Sequence, residues 1–137
     1  MIEFGGLNIW AVLVTWVISV ALGSFWYSPA GFSKLWSRLS GVDMMKTPKD
    51  ESTRAIILVV ASSLLQAFAL AIVLNSLNIT SVGQAVIAAL ILWFGFVALT
   101  TIGNTLYQRL SLKFWFLNAS FFLIVMVVNS VILTVWK

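Results

Sequence analysis

The sequence has no cysteine and no histidine. Their absence removes disulfides, thiolate chemistry, haem ligation through histidine and the usual zinc sites. Charge is scarce as well, at 9% of 137 residues, where soluble domains carry about 25%. The acids are Glu3, Asp43, Asp50 and Glu51. A carboxylate pair from Asp43 and Asp50 would lack a partner base such as histidine. No glycine-rich phosphate loop, metal constellation or nucleophile elbow appears. The expectation is therefore no catalytic residues, no metal, no cofactor and no enzymatic activity. Eight cations are too few for a nucleic-acid footprint, so nucleic acid is not an expected partner; they serve better as orientation signals in a membrane protein.

What the chain has in abundance is apolar surface, 61% of its residues against roughly 45–50% in soluble domains. A soluble fold of this size could not cover so much of it, and a lipid bilayer is the expected surrounding. Four apolar runs stand out: Leu7–Tyr27, Ala55–Asn75, Val82–Leu106 and Phe114–Trp136. At 1.5 Å per residue, about 20 residues cross the roughly 30 Å hydrocarbon core. None of the runs contains Asp, Glu, Lys or Arg. Backbone in lipid must satisfy its own hydrogen bonds, so the runs are expected as helices; they are too long for barrel strands of about 9–11 residues. The first run lacks a basic leading segment and exceeds the usual length of a signal-peptide core, about 7–15 residues, so it is expected to stay in the membrane. The predicted fold is all-α: one four-helix transmembrane domain over 1–137, with spans near 7–27, 55–75, 82–106 and 114–136 and a cytoplasmic segment over 28–54. No internal repeat is apparent.

Lys34, Arg38, Lys46, Lys49 and Arg54 lie between the first two runs, and Arg109 and Lys113 between the last two. The opposite side has only Lys137. Positive loops stay cytoplasmic, which predicts both termini outside. The Asn78-Ile79-Thr80 sequon falls on that outer side; a glycan there requires a eukaryotic secretory route, and chance occurrence is the favoured reading.

The stretch "GSFWYSPAGFSKLWSRLSG", Gly23–Gly41, closes the first span. Trp26 and Tyr27 suit the headgroup layer, and Pro29 ends the helix and biases Ser28 away from it. Phe32, Leu35, Trp36 and Leu39 then recur at helical spacing, with Ser33, Lys34, Ser37 and Arg38 on the other face. That predicts a short amphipathic helix stopped by Gly41, lying in the membrane plane or packed on the protein's own helix ends. In "TPKDE", Thr47 suits an N-cap, Pro48 the first helical position, and Asp50 and Glu51 the positive end of the helix dipole.

These residues carry a resemblance. Gly23–Trp36 resembles the signature of a bacterial membrane family known as domain of unknown function 1761, in which W-Y-S-P closes the first span and a G-K-x-W-like segment follows. Here Ser33 stands where that segment would have Gly. Thr100–Tyr107 and Phe116–Phe121 resemble the family's third and fourth spans. The resemblance implies a four-helix protein of the bacterial cytoplasmic membrane, and it brings no activity.

Candidate functional residues fall into two groups. Ala11, Thr15, Ser19 and Gly23 in the first run, and Ser63, Ala67, Ala71 and Asn75 in the second, keep the four-residue step of small side chains. Such rows permit close helix packing; a solute path between helices is the alternative. The second group is Trp26, Tyr27, Ser28, Asn104, Tyr107 and Asn118, expected at similar depth near the cytoplasmic end, where they would serve a ligand or partner or simply mark an interface. Gln66, Gln84 and Asn129 are further polar residues in spans, Trp16 and Trp93 aromatics deep within them. Two functions remain open: a non-enzymatic membrane protein that acts as a homo-oligomer or with another membrane protein, and a small transporter or channel for an apolar or neutral solute. A proton-driven pump is disfavoured, because no acid or histidine lies within a span.

Overall fold

The computed structural model describes residues 1–43 and 46–137; Met44 and Met45, inside the expected 28–54 segment, lie outside the described residues. Helix α1 covers Ile9–Trp26, α2 Ser33–Ser40 and α3 Lys49–Ser76; α4, Val82–Trp93, runs through a π-helical turn at Phe94–Ala98 into α5, Leu99–Tyr107; α6 covers Leu112–Val135. Four of these stretches, Ile9–Trp26, Lys49–Ser76, Val82–Tyr107 and Leu112–Val135, are long and apolar enough to cross a bilayer. The protein is all-α, with four membrane-spanning helices and a short helix between the first two.

Short polar side chains set the helix starts. Asn8 accepts from the Trp10 and Ala11 amides, Ser81 from Gln84 and Ser111 from Phe114, each satisfying orphan donors of a first turn. Gln84 belongs to such a cap rather than to a span interior: its Oε1 accepts from the Thr80 amide at 3.1 Å. The start of α3 departs from expectation by one residue. Pro48 is the cap, with no side-chain cap bond, and Thr47 Oγ1 instead donates to the Asp43 carbonyl at 3.1 Å. Asp50 and Glu51 do occupy the first turn of α3. Gly41 stops α2 in the left-handed conformation, φ 76°, as its position predicted.

Helix α6 is the hub. It packs on α1, α2, α3, α4, the π-turn and α5, while α3 rests on α1 and α6. Both termini meet at one end of the bundle. There Asn8 Nδ2 donates to the Trp136 carbonyl, Asn75 Nδ2 to the Gly5 carbonyl, and Lys137 Nζ to the Ile79 carbonyl. The principal buried cluster lies toward this terminal end and includes Ala11, Val12, Ala67, Leu70, Ala71, Leu74, Ala85 and Leu133. Four of its nine buried members are alanines, which let backbones in lipid associate by close approach.

At the other end, the turn after α1 folds back on itself. The Phe32 amide donates to the Trp26 carbonyl at 2.7 Å, and the Gly31 and Ser33 amides both donate to the Ser28 carbonyl. Ser28 Oγ donates to the Phe25 carbonyl at 2.6 Å. A Cβ at Gly31 would stand 2.3 Å from the Phe25 oxygen and 2.7 Å from that of Trp26. Glycine is required here by the approach of another backbone segment. The turn sets α2 against the start of α6, where the Trp36 and Phe114 rings lie 6.1 Å apart.

The π-turn re-phases the third span. In a regular helix, the face of Ala85, Ala89 and Trp93 would continue through Phe96, Thr100, Asn104 and Tyr107. The i→i−5 bond from the Leu99 amide to the Phe94 carbonyl adds one residue to a turn. The inward face becomes Ala98 and Thr105, both buried, while Phe96, Thr100, Asn104 and Tyr107 are exposed. Trp115 Nε1 donates to the Ala98 carbonyl at 3.0 Å and fastens the turn to α6.

Two outcomes follow. Gly31→Ala should cost about 2 kcal/mol or more of stability in detergent, through forced displacement of backbone. Gly103→Ala, where a Cβ meets open space, should be neutral or stabilising by up to about 1 kcal/mol; equal thermal unfolding of the two variants would contradict the turn geometry. Nitroxide labels at 104 and 105 should report a mobile, outward site and an immobilised, inward one respectively, and the reverse order would place a regular helix here.

Candidate functional site

Polar side chains inside a membrane bundle are costly unless paired. In this bundle they gather along the seam between α1 and α6. At the α2 end, the Tyr27 hydroxyl donates to Asn118 Oδ1 at 2.7 Å. Deeper in, Asn129 Nδ2 donates to Ser19 Oγ at 2.8 Å, and Ser19 Oγ donates to the Thr15 carbonyl at 2.8 Å. Both asparagines lie on one face of α6, as a separation of eleven residues places them. Between the two pairs sits Phe121, whose ring meets Tyr27 edge-on at 5.4 Å and Trp26 at 5.9 Å. A Cβ at Gly23 would come within 3.3 Å of Phe121 Cζ. Glycine in α1 thus accommodates the phenyl ring of α6.

Of the six residues expected together near this end, the structure joins Trp26, Tyr27 and Asn118, with the Phe32 ring packed at a tilt against Trp26, centroids 4.5 Å apart. Ser28 is used by the turn itself. Asn104 and Tyr107 stand apart: the π-turn rotates both outward, leaving Tyr107 93% exposed. The packing rows divide in a way that spacing could not show. Ala11, Ala67 and Ala71 share the buried cluster of α1 and α3, whereas Ser19 and Gly23 turn to α6. Ser63 is only half-buried, its hydroxyl donating to the Val59 carbonyl.

The deep tryptophans are held by backbone. Trp16 Nε1 donates to the Val60 carbonyl at 2.9 Å and Trp93 Nε1 to the Ala119 carbonyl at 2.7 Å. Each clamps one span to its neighbour, which accounts for a large ring with a polar handle in an apolar layer. The cavity at the end where the termini meet, among Gly6, Leu7, Asn8, Ala11, Asn75, Leu133 and Trp136, has about 30 Å³, room for a single water and not for a solute.

Four buried polar atoms have no hydrogen-bond partner among the described residues: Trp26 Nε1, Asn129 Oδ1, Ser130 Oγ and Thr134 Oγ1. The two hydroxyls break a pattern. Ser19, Ser24, Ser76, Thr101 and Thr105 all donate to the carbonyl four residues back. Gly31, Phe121, the Ser19–Asn129 pair and the π-turn were missed by sequence reasoning. A signal for Gly31 was present in the Pro-Ala-Gly turn; the other three depend on tertiary pairing.

The seam predicts a coupling. In a double-mutant cycle with Tyr27→Phe and Asn118→Leu, the interaction should be about 0.6–1.7 kcal/mol in detergent. Strict additivity would mean that the bond contributes nothing.

No curated protein and no solved structure matches the chain. One family model does, over residues 10–134, which takes in all four spans and the turn after α1. The chain belongs to that family, described as protein of unknown function (DUF1761).

Proposed function

We propose that this protein is a non-enzymatic membrane protein that works through assembly, with further copies of itself or with another membrane protein. One observation carries this: the polar pairs Tyr27–Asn118 and Ser19–Asn129 of the α1–α6 seam face each other inside the chain, while the Gln66 amide faces outward from the middle of α3. An outward amide at mid-span calls for a partner that lipid cannot be. The scarcity of acids and the lack of histidine support the absence of catalysis. We place the protein in the bacterial cytoplasmic membrane, on the strength of the family resemblance. The α2 end, with Lys34, Arg38, Arg54, Arg109 and Lys113, faces the cytoplasm and both termini face out.

Transport of a small neutral solute is the second function, and a specific observation favours it. Asn129 Oδ1, Ser130 Oγ and Thr134 Oγ1 are buried within six residues of α6 without partners among the described residues. Each unpaired group costs about 1–3 kcal/mol, which a passing hydrogen-bonding solute would offset.

Extraction in native lipid discs followed by mass spectrometry separates the two. Assembly expects a second copy or another membrane protein at fixed stoichiometry. A monomer retaining a small neutral molecule, released by Asn129→Leu, would overturn assembly in favour of transport. Orientation has its own test, clean in a chain without cysteine. Ser37→Cys and Gln108→Cys should be protected from an impermeant thiol reagent in intact cells and react once the membrane is opened; labelling of intact cells would reverse the topology.

A further inference from the structure

The middle of α3 holds an amide with nothing to bond. Gln66 is exposed and its side chain makes no hydrogen bond among the described residues. It lies about ten residues from either end of the run Ala55–Asn75, so about 15 Å of helix separates it from headgroup water on each side. Its side chain is far too short to cross that distance. Asn104, by contrast, is three residues from the end of α5 at Tyr107, where interfacial water can serve it.

The neighbourhood of Gln66 adds a second unsatisfied group. Ser62, one turn earlier on the same side, is exposed, and its hydroxyl makes no hydrogen bond among the described residues. Thr53, Ser63 and Ser76 of the same helix all donate to the carbonyl four residues back. Around these two residues the surface of α3 keeps alternating steps of four and three: Ala55, Val59, Ser62, Gln66, Ala69 and Val73. The first five are exposed. Steps of four and three are the seam of a left-handed helix pair. Ala55, Ser62 and Ala69, seven apart, are small enough to let two backbones approach, and Gln66 takes a central seam position, where a polar residue fixes register and partner number.

We propose that a second copy of the chain docks on this face of α3, with the two α3 helices parallel and the Gln66 side chains exchanging hydrogen bonds across a two-fold axis. The occupant follows from chemistry. Hydrocarbon offers an amide neither donor nor acceptor. A carboxamide carries both, so two glutamines related by a two-fold axis satisfy each other. Orientation in the membrane is the same for every copy, so the axis runs along the membrane normal and identical residues meet at it. The Ser62 hydroxyls lie one layer away, within the same contact. This deepens the assembly proposed above and rests on it.

The test uses the full chain in native membranes, with single cysteines introduced into a sequence that has none. Under mild oxidation, Ser62→Cys and Ala69→Cys should give disulfide-linked homodimer at least fivefold faster than Ala61→Cys on the flank of the same helix, or Thr100→Cys on the outward face of α5. Adding Gln66→Leu should slow crosslinking at position 62 severalfold, and Gln66→Asn should restore part of it. Equal rates at 61 and 62, fastest crosslinking at 100, an adduct with a different protein, or indifference to Gln66→Leu would each overturn the proposal. Single-molecule photobleaching of labelled wild type in the same membranes separates the two levels. Dimers or larger assemblies without crosslinks along the stripe would sink the α3 contact and leave assembly standing. A monomeric chain would remove both the contact and self-assembly.

Discussion

Two side-chain hydrogen bonds between α1 and α6, Tyr27 to Asn118 and Asn129 to Ser19, hold the arrangement on which the other contacts depend. In lipid there is no hydrophobic force to press two apolar helices together, so register must come from close packing and polar pairs. Phe121 packs between the pairs into the space that Gly23 leaves open. With α1 fixed on α6, α3 settles on both of them, and α4 packs along α6. Indole donors pin the outlying spans to this frame, Trp16 reaching Val60 on α3, and Trp93 and Trp115 joining the third span to α6. The result is a bundle in which one helix touches every other.

That frame divides the polar groups into those spent inside and those presented outside. The inner ones set register. Of the outer ones, Gln66 in the middle of α3 has no solvent that can satisfy it. A bundle that pairs Tyr27 with Asn118 and Ser19 with Asn129 inside, and presents an amide at mid-span, fits the assembly proposed above. The hydroxyls of Ser130 and Thr134 beside Asn129, without partners among the described residues, are the feature that self-association does not explain, and they are where solute chemistry would be found.

Most of the architecture was legible in the sequence, because a bilayer imposes length and apolarity on each span and those are one-dimensional properties. The four spans, the amphipathic helix ending at Gly41, and the closing role of Trp26, Tyr27 and Pro29 follow from composition and spacing. The site was legible only in part. Asn104 and Tyr107 were grouped with Trp26, Tyr27 and Asn118 by depth alone; one extra residue in the turn at Phe94–Ala98 leaves both exposed, and no local residue announces that insertion. The small row of α1 was visible, but not that its first residue meets α3 while Ser19 and Gly23 meet α6. Gly31 is required by a backbone segment brought close only once the turn has formed. Periodicity reports which residues share a face, not which helix lies opposite.

The most direct test of the central claim is a solid-state NMR correlation in lipid bilayers between the side-chain amide nitrogen of Asn129 and the Cβ of Ser19, with Asn118 and the Tyr27 ring as the second pair. The account predicts cross-peaks for both pairs, and loss of the first on Ser19→Val without loss of the second. Well-resolved spectra that show Ala11 against Ala71 but neither seam contact would mean that α1 is held by α3 alone, and would contradict α6 as the hub of the bundle.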